Sequence, residues 1–221
     1  MKVVIIGGKE SGIAPGIHNM NHWLHDYFSE YDLVQLSRAT GYDLDSKYDE
    51  IVEIARTADI FVNSACVKDY QIKLLDDVYG HVPYLICLGS IAGDFYGAPQ
   101  NYPNHPNYPE VKHKLKERCK WIQLEKQEAT TNLLHLNITE TEDPKYNVRG
   151  LQKPQLYKIL DFWFDNPYIA NLDLKFWTES YIKEHKQKKV QGIIDYFNDK
   201  RNKKNLIQLL ILVNCKITMH S

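Results

Sequence analysis

The sequence predicts an α/β protein built on a doubly wound parallel sheet with helices on both faces, a three-layer αβα arrangement. Three observations point there. A continuous apolar run at residues 3–6 stops at Gly7 and Gly8, apolar residues recur at helical spacing directly behind it, and short β-rich runs then alternate with helical stripes as far as residue 164. Unbroken apolar strands are what a sheet covered on both faces needs. Regular alternation of strand and helix joins parallel strands by right-handed crossovers and leaves ligands at the carboxyl ends of the strands.

Each element follows in turn. Residues 3–6 are β-branched and form the first strand. Ile13, Ile17, Met20, Leu24 and Tyr27 fall four, three, four and three apart, the stripe of a helix lying on a sheet. Residues 33–36 read as the second strand. Beyond a turn at Gly41, Asp45 and Ser46 are placed to cap a helix carrying Ile51, Ile54 and Ala55. A strand at 60–62, a helix at 68–79 and a strand at 84–88 ending at Gly89 and Ser90 continue the pattern. Residues 94–109 hold four prolines among asparagine, tyrosine and glycine, a composition that suits a loop over a site. Pro109 is tolerated in the first turn of a helix running through Val111 and Leu115 to about Cys119. A strand over 131–136 and a helix over 152–164 complete the expected sheet domain, residues 1–177. After Trp177 the composition turns to lysine, glutamine and asparagine with a stripe at Val190, Ile193, Ile194 and Phe197, and residues 178–221 are expected to be a helical extension.

The 221 residues are enough for one substantial core. With 27 basic and 28 acidic side chains the net charge is -1, so no overall field draws the chain toward nucleic acid or anionic lipid, and a small molecule is the expected partner. Cys66, Cys87, Cys119 and Cys215 form no CxxC pair, which argues for a reducing, cytoplasmic setting over a disulfide framework or zinc knuckle. The apolar runs at 3–6 and 206–213 are far below the length that spans a bilayer. His18, His22 and His25 share a helical face, but apart from the adjacent Asp26 no cysteine or carboxylate follows at metal spacing, and they read as a half-exposed polar flank. The lysine-rich stretches 183–189 and 200–204 have acidic residues interspersed at Glu184 and Asp199 and no aromatic platform, which fits a solvated helix face.

The turn Gly8-Lys9-Glu10-Ser11-Gly12-Ile13-Ala14 lies between the first strand and the first helix. Glycines there let a backbone approach a pyrophosphate while the helix N-terminus supplies amide donors. The same glycines also make an ordinary tight βα turn. Residues four apart on a helix share a face, so in Tyr108-Pro109-Glu110-Val111-Lys112 the ammonium can stand near the phenol. A phenol titrates near pH ~10, and a neighbouring cation is what would make it a usable acid or base near neutrality.

Gly8 to Ala14 resembles the Gly-x-x-x-Gly-Ile-Gly turn of the short-chain dehydrogenase/reductase family, with Ala14 in place of the third glycine. Asn63-Ser64-Ala65-Cys66 resembles its Asn-Asn-Ala-Gly strand end. Leu88-Gly89-Ser90-Ile91-Ala92-Gly93 resembles the segment that presents its serine, and Tyr108 and Lys112 supply its Tyr-x-x-x-Lys. The four segments occur in the family's order and span about residues 1–175. The resemblance implies a Rossmann-like domain with a nicotinamide dinucleotide held by Gly8, Lys9, Glu10, Ser11, Gly12, Ile13, Ser37, Arg38, Asp43, Asn63, Ser64, Ala65, Tyr108 and Lys112. It also implies catalysis by Ser90, Tyr108 and Lys112, and a homo-oligomer built on the Tyr108 helix. Arg38, just past the second strand, and Ser37 favour NADP, with NAD as the alternative, because a cation there meets a 2′-phosphate where an acid would meet the bare ribose. Asp43 resembles the family's adenine-binding aspartate.

The chain departs from the family in length. Ser90 and Tyr108 stand eighteen positions apart, longer than the family's spacing, and Tyr102 competes for the tyrosine's place but has Pro106 four residues on. The span from Ala65 to Ser90 is short, leaving no recognisable equivalent of the family's catalytic asparagine. Between Arg38 and Asp43 there is no room for the second crossover helix. A noncatalytic dinucleotide-binding protein and a nucleotide-sugar enzyme on the same sheet are the competing readings.

Overall fold

A computed structural model of the chain describes residues 1–8, 15–65, 68–95, 107–126, 128–138, 151–168 and 171–174. All of them lie in the first of the two units into which the chain divides, Met1–Phe176 and Trp177–Ser221. Six strands, β1 (Lys2–Ile6), β2 (Asp32–Leu36), β3 (Ile60–Asn63), β4 (Tyr84–Leu88), β5 (Asn132–Ile138) and β6 (Asn171–Leu174), form one sheet in the order β2-β1-β3-β4-β5-β6. Every pairing is parallel. The helices between them are α1 (Pro15–Tyr27), α2 (Tyr48–Arg56), α3 (Tyr70–Val78), α4 (Tyr108–Glu125) and α5 (Lys153–Asp165).

The strands are apolar on both faces because both faces are covered. Val4, Ile6, Phe61, Leu85, Cys87 and Leu133 point to one side, against Ile51 of α2, Leu74 of α3 and Leu115 of α4. Val3, Ile5, Val62, Ile86, Leu88 and Leu134 point to the other, against Met20 and Leu24 of α1 and Leu156, Leu160 and Trp163 of α5. The expected αβα layers are therefore present. Beyond β1 on one side stands only β2, where the common doubly wound order has two strands. The short link after β2 has room for a single 3₁₀ turn, Arg38–Thr40, and no crossover helix before Asp43.

Four details differ from the sequence-based expectation. The cap of α2 is Lys47, not Asp45 or Ser46. Residues 43–47 close a tight turn in which the amides of Ser46 and Lys47 donate to the Asp43 carbonyl at 3.2 and 2.8 Å, and the Asp45 carboxylate receives Lys68 and the Tyr70 hydroxyl instead. Helix α4 continues past Cys119 to Glu125, because Ile122 extends its buried face by another turn. Strand β6 was not anticipated; it is a four-residue strand that, among the described residues, pairs with β5 alone at the edge of the sheet, with too short a pattern to stand out. His25 is buried rather than half-exposed, while His22 pairs with Asp26 at 3.5 Å near the surface. The side chain of His18, most of the proline-rich loop including Tyr102, and the lysine-rich segments lie outside the described residues. Among the described residues no helix is long and apolar enough to cross a membrane.

Candidate active site

Because β1 is flanked by β2 on one side and β3 on the other, the strand order reverses there, and the carboxyl ends of β1 and β3 form the switch point at which open α/β sheets bind ligands. Its floor is made of small residues. Gly7 and Gly8 end β1, and Ser64 and Ala65, both buried, follow β3. Gly7 has φ +124°, and a Cβ added to it would lie 2.2 Å from the Ser64 Oγ, which donates to the Ile6 carbonyl. The Gly7 amide itself donates to the Leu36 carbonyl at 2.9 Å. Only glycine fits this position, and a floor without side-chain bulk suits the close approach of a dinucleotide's diphosphate. Of the expected glycine-turn residues Gly8 is described and buried; Lys9, Glu10, Ser11, Gly12 and Ile13 lie outside the described residues.

Asn63 and Gln71 form a reciprocal pair in the interior. The Asn63 amide donates to the Gln71 carbonyl and the Gln71 Nε2 donates to the Asn63 carbonyl, both at 2.8 Å. Beyond β2, the Ser37 amide donates to the Thr40 Oγ1 at 2.9 Å, and the exposed Arg38 reaches Asp43 at 3.2 Å and Asp45 at 3.9 Å.

Ser90 is the second residue past β4, after Gly89. The Gly89 amide donates to the Leu136 carbonyl at 2.8 Å, anchoring the turn to β5, and the Ala92 amide donates to the Ser90 Oγ at 3.2 Å. The 3₁₀ turn Ile91–Phe95 then lies against α4 so closely that a Cβ on Gly93 would be 2.7 Å from the His113 amide nitrogen. His113 Nδ1 is 3.1 Å from the Gly93 carbonyl oxygen, Lys116 pairs with Asp94 at 2.6 Å, and the Asn137 amide donates to Asp94 at 3.3 Å. The Ser90 turn and the helix that carries Tyr108 and Lys112 are thereby fixed to one another, whatever the length of chain between them.

On α4, Tyr108 and Lys112 share the buried face with Leu115, Cys119 and Ile122, and Pro109 sits in the first turn as expected. The Lys112 side chain is 2% exposed. Its ammonium donates to the Gln71 Oε1 at 2.7 Å and to the Leu88 carbonyl at 2.8 Å, and stands 5.5 Å from the centre of the Tyr108 ring. A buried cation requires such partners, since a charge taken out of water is otherwise uncompensated.

Gln71 is the residue that sequence reasoning missed. Its Nε2 is fixed by the Asn63 and Leu88 carbonyls at 2.8 and 3.0 Å, so its oxygen can only face Lys112. A signal was present: Gln71 occupies the same face of α3 as Leu74, Leu75 and Val78, and a glutamine on a core face must find partners there. Replacing it with leucine removes one of the two acceptors of a buried ammonium, and the Gln71→Leu variant is expected to lose about 1–3 kcal/mol of stability, read from its urea midpoint.

Cys87 of β4 and Cys119 of α4 are buried close by as free thiols, and burial pushes Cys87 well above the usual thiol range, which makes it inert. Among the described residues no cluster of side chains is arranged to hold a metal ion.

No family model matches the sequence, and neither does any curated protein. Solved structures do match. A short-chain dehydrogenase from Sphingobium yanoikuyae in complex with NADPH shares 14% identity at a TM-score of 0.56, covering 88% of this chain and 96% of its own. The 3-alpha-hydroxysteroid dehydrogenase from Pseudomonas sp. B-0831, complexed with NADH, shares 14% at 0.54, over 78% and 95%. The 3-ketoacyl-(acyl-carrier-protein) reductase from Brucella melitensis, complexed with NADH, shares 16% at 0.51, over 78% and 96%. At these identities the likeness is one of fold, and the fold is the one these short-chain dehydrogenases share.

Proposed function

We propose that the chain is an oxidoreductase that moves a hydride between a nicotinamide dinucleotide and a carbonyl or secondary alcohol, with NADP(H) preferred and NAD(H) the alternative. The observation that carries this reading is the buried Lys112 ammonium beside the Tyr108 ring, on a helix fastened to the Ser90 turn next to a small-residue crevice. When bound, the dinucleotide supplies or accepts the hydride. Tyr108 exchanges a proton with the substrate oxygen, and the Lys112 charge favours the phenolate form that makes this exchange workable. Ser90 donates a hydrogen bond to the same oxygen. Lys112 has three donors; two go to Gln71 and Leu88, and another is suited to a ribose hydroxyl of the cofactor.

Gly8 through Ile13, Ser37, Arg38, Asp43 and the β3 end at Asn63, Ser64 and Ala65 would line the cofactor's path, the Asn63 side chain acting from beneath through Gln71. The substrate is a small molecule, and the expected setting is cytoplasmic. The Tyr108 helix is the natural contact for a second copy; the extension expected from sequence over 178–221 lies outside the described residues.

A dinucleotide-binding protein without turnover is the second reading, favoured by the depth at which Lys112 is held by Gln71 and Leu88. Calorimetric titration with NADPH and NADH, followed by nicotinamide absorbance against a panel of ketones, aldehydes and secondary alcohols, separates the two. Binding with turnover supports the enzyme; binding with no turnover on any substrate supports the rival.

A further inference from the structure

We infer that Gln71 is a positioning residue for the proposed reaction: it holds the Lys112 ammonium with a neutral acceptor, so that the charge is fixed in place and left uncancelled beside the Tyr108 phenol. This rests on Tyr108 being the group that exchanges a proton with the substrate. Gln71 is 1% exposed and sits in the first turn of α3. Three hydrogen bonds close a ring with the ammonium: Lys112 Nζ donates to Gln71 Oε1 at 2.7 Å and to the Leu88 carbonyl at 2.8 Å, and Gln71 Nε2 donates to that same carbonyl at 3.0 Å. The other Nε2 proton goes to the Asn63 carbonyl at 2.8 Å, and the Asn63 side-chain amide donates back to the Gln71 main-chain carbonyl at 2.8 Å. A reversed Gln71 amide would turn its NH2 on the ammonium and its oxygen on two carbonyls, so these partners fix which atom faces Lys112.

The acceptor is an amide where a carboxylate would be the ordinary partner of a buried ammonium. A carboxylate offsets more of the desolvation, but it cancels the charge felt by any neighbour. Among the described residues no carboxylate pairs with Lys112; the ion pairs of α4 are made by Lys114, Lys116, Arg118 and Lys120. Nor does another described group around the ammonium supply the missing negative charge. Burial keeps Cys87 of β4 a neutral thiol, with Cys119 of α4 beside it. His135 of β5, in register with Cys87, has no anionic form to offer. Past Gly93, Asp94 is taken by Lys116 at 2.6 Å, and His113 lies against the Gly93 carbonyl. β3 and α3 present the neutral Asn63 and Gln71. The full charge therefore stands 5.5 Å from the centre of the Tyr108 ring, and the ring of hydrogen bonds sets the direction of the N–H that remains.

The test reads the Tyr108 phenol directly. Tyrosine labelled with carbon-13 at Cζ reports ionisation by NMR on the full chain, without cofactor or substrate, and the resonance missing in Tyr108→Phe is that of Tyr108. Gln71→Glu keeps an oxygen against the ammonium and adds a negative charge, and is expected to raise the midpoint of the phenol by about one unit or more. Gln71→Met leaves the ammonium one acceptor and adds no charge, and a smaller rise, about half a unit, is expected. In alcohol oxidation, kcat of Gln71→Glu should fall about tenfold near neutrality with KM little changed, and recover as pH passes the new midpoint, a response that mere support of the fold would not give. A midpoint unmoved in both variants, or a loss of kcat that no pH restores, overturns the inference. If the glutamate variant does not fold, the midpoint of the methionine variant decides alone. If the phenol moves as expected but no substrate is turned over, the oxidoreductase reading falls and takes this role with it; if substrate is turned over while the midpoint stands still, only the role of Gln71 is lost.

Discussion

Replacing Tyr108 with phenylalanine is expected to lower kcat about 10²- to 10⁴-fold, the range that a positioned proton donor contributes, and to leave dinucleotide affinity nearly unchanged. The reasoning is geometric. The ring is buried on the inner face of α4 and Lys112 lies against it, so phenylalanine fills the same space and keeps the contact with the ammonium while removing the hydroxyl. The loss is expected in turnover, and urea midpoints of the two proteins measure whatever stability the hydroxyl contributes. Steady-state rates of the two proteins with one carbonyl substrate and saturating cofactor decide it. Equal rates would remove Tyr108 from the chemistry while leaving the sheet and crevice intact.

Gly7→Ala is expected to cost about 2–4 kcal/mol of stability, from two separable sources. One is the backbone: at φ +124° a side chain is strained however much space surrounds it. The other is contact, since the new Cβ would lie 2.2 Å from the Ser64 Oγ but 3.6 Å from the Ser64 Cβ. Adding Ser64→Ala should relieve the contact share and leave the backbone share, so the double variant recovers part of the loss, a coupling readable from urea midpoints. Gly41 is the control. It has φ +86° with nothing within 4 Å of an added Cβ, and Gly41→Ala should show only the backbone cost, about 1 kcal/mol.

What could be read from sequence, and what could not, divides along the source of the constraint. Residues 3–6 and 84–88 announced themselves as strands because both faces of the sheet are covered and every position had to be apolar. The stripe through Met20 and Leu24 marked α1 for the same reason. The short link after β2 was legible as a simple lack of residues between Arg38 and Asp43, and the helix that crosses back to β3, α2, comes only after it. Features set by distant partners were not legible. Asp45 was read as a cap because its neighbours along the chain suit one, but its carboxylate answers to Lys68 and Tyr70, over twenty residues away. Gln71 reads as an ordinary helix residue until Lys112, forty-one positions on, is seen to need an acceptor. The eighteen-residue gap between Ser90 and Tyr108 looked like an obstacle, yet the Ser90 turn is tied to α4 through Gly93, Asp94, His113 and Lys116, so the length of the connection does not set their relation.

The most direct test of the account is a crystal structure of the chain with NADPH. It predicts the diphosphate over Gly7 and Gly8 at the ends of β1 and β3, with the nicotinamide beside the Tyr108 hydroxyl and the Lys112 ammonium. Density for the dinucleotide away from that crevice, or a nicotinamide out of reach of Tyr108, would contradict it.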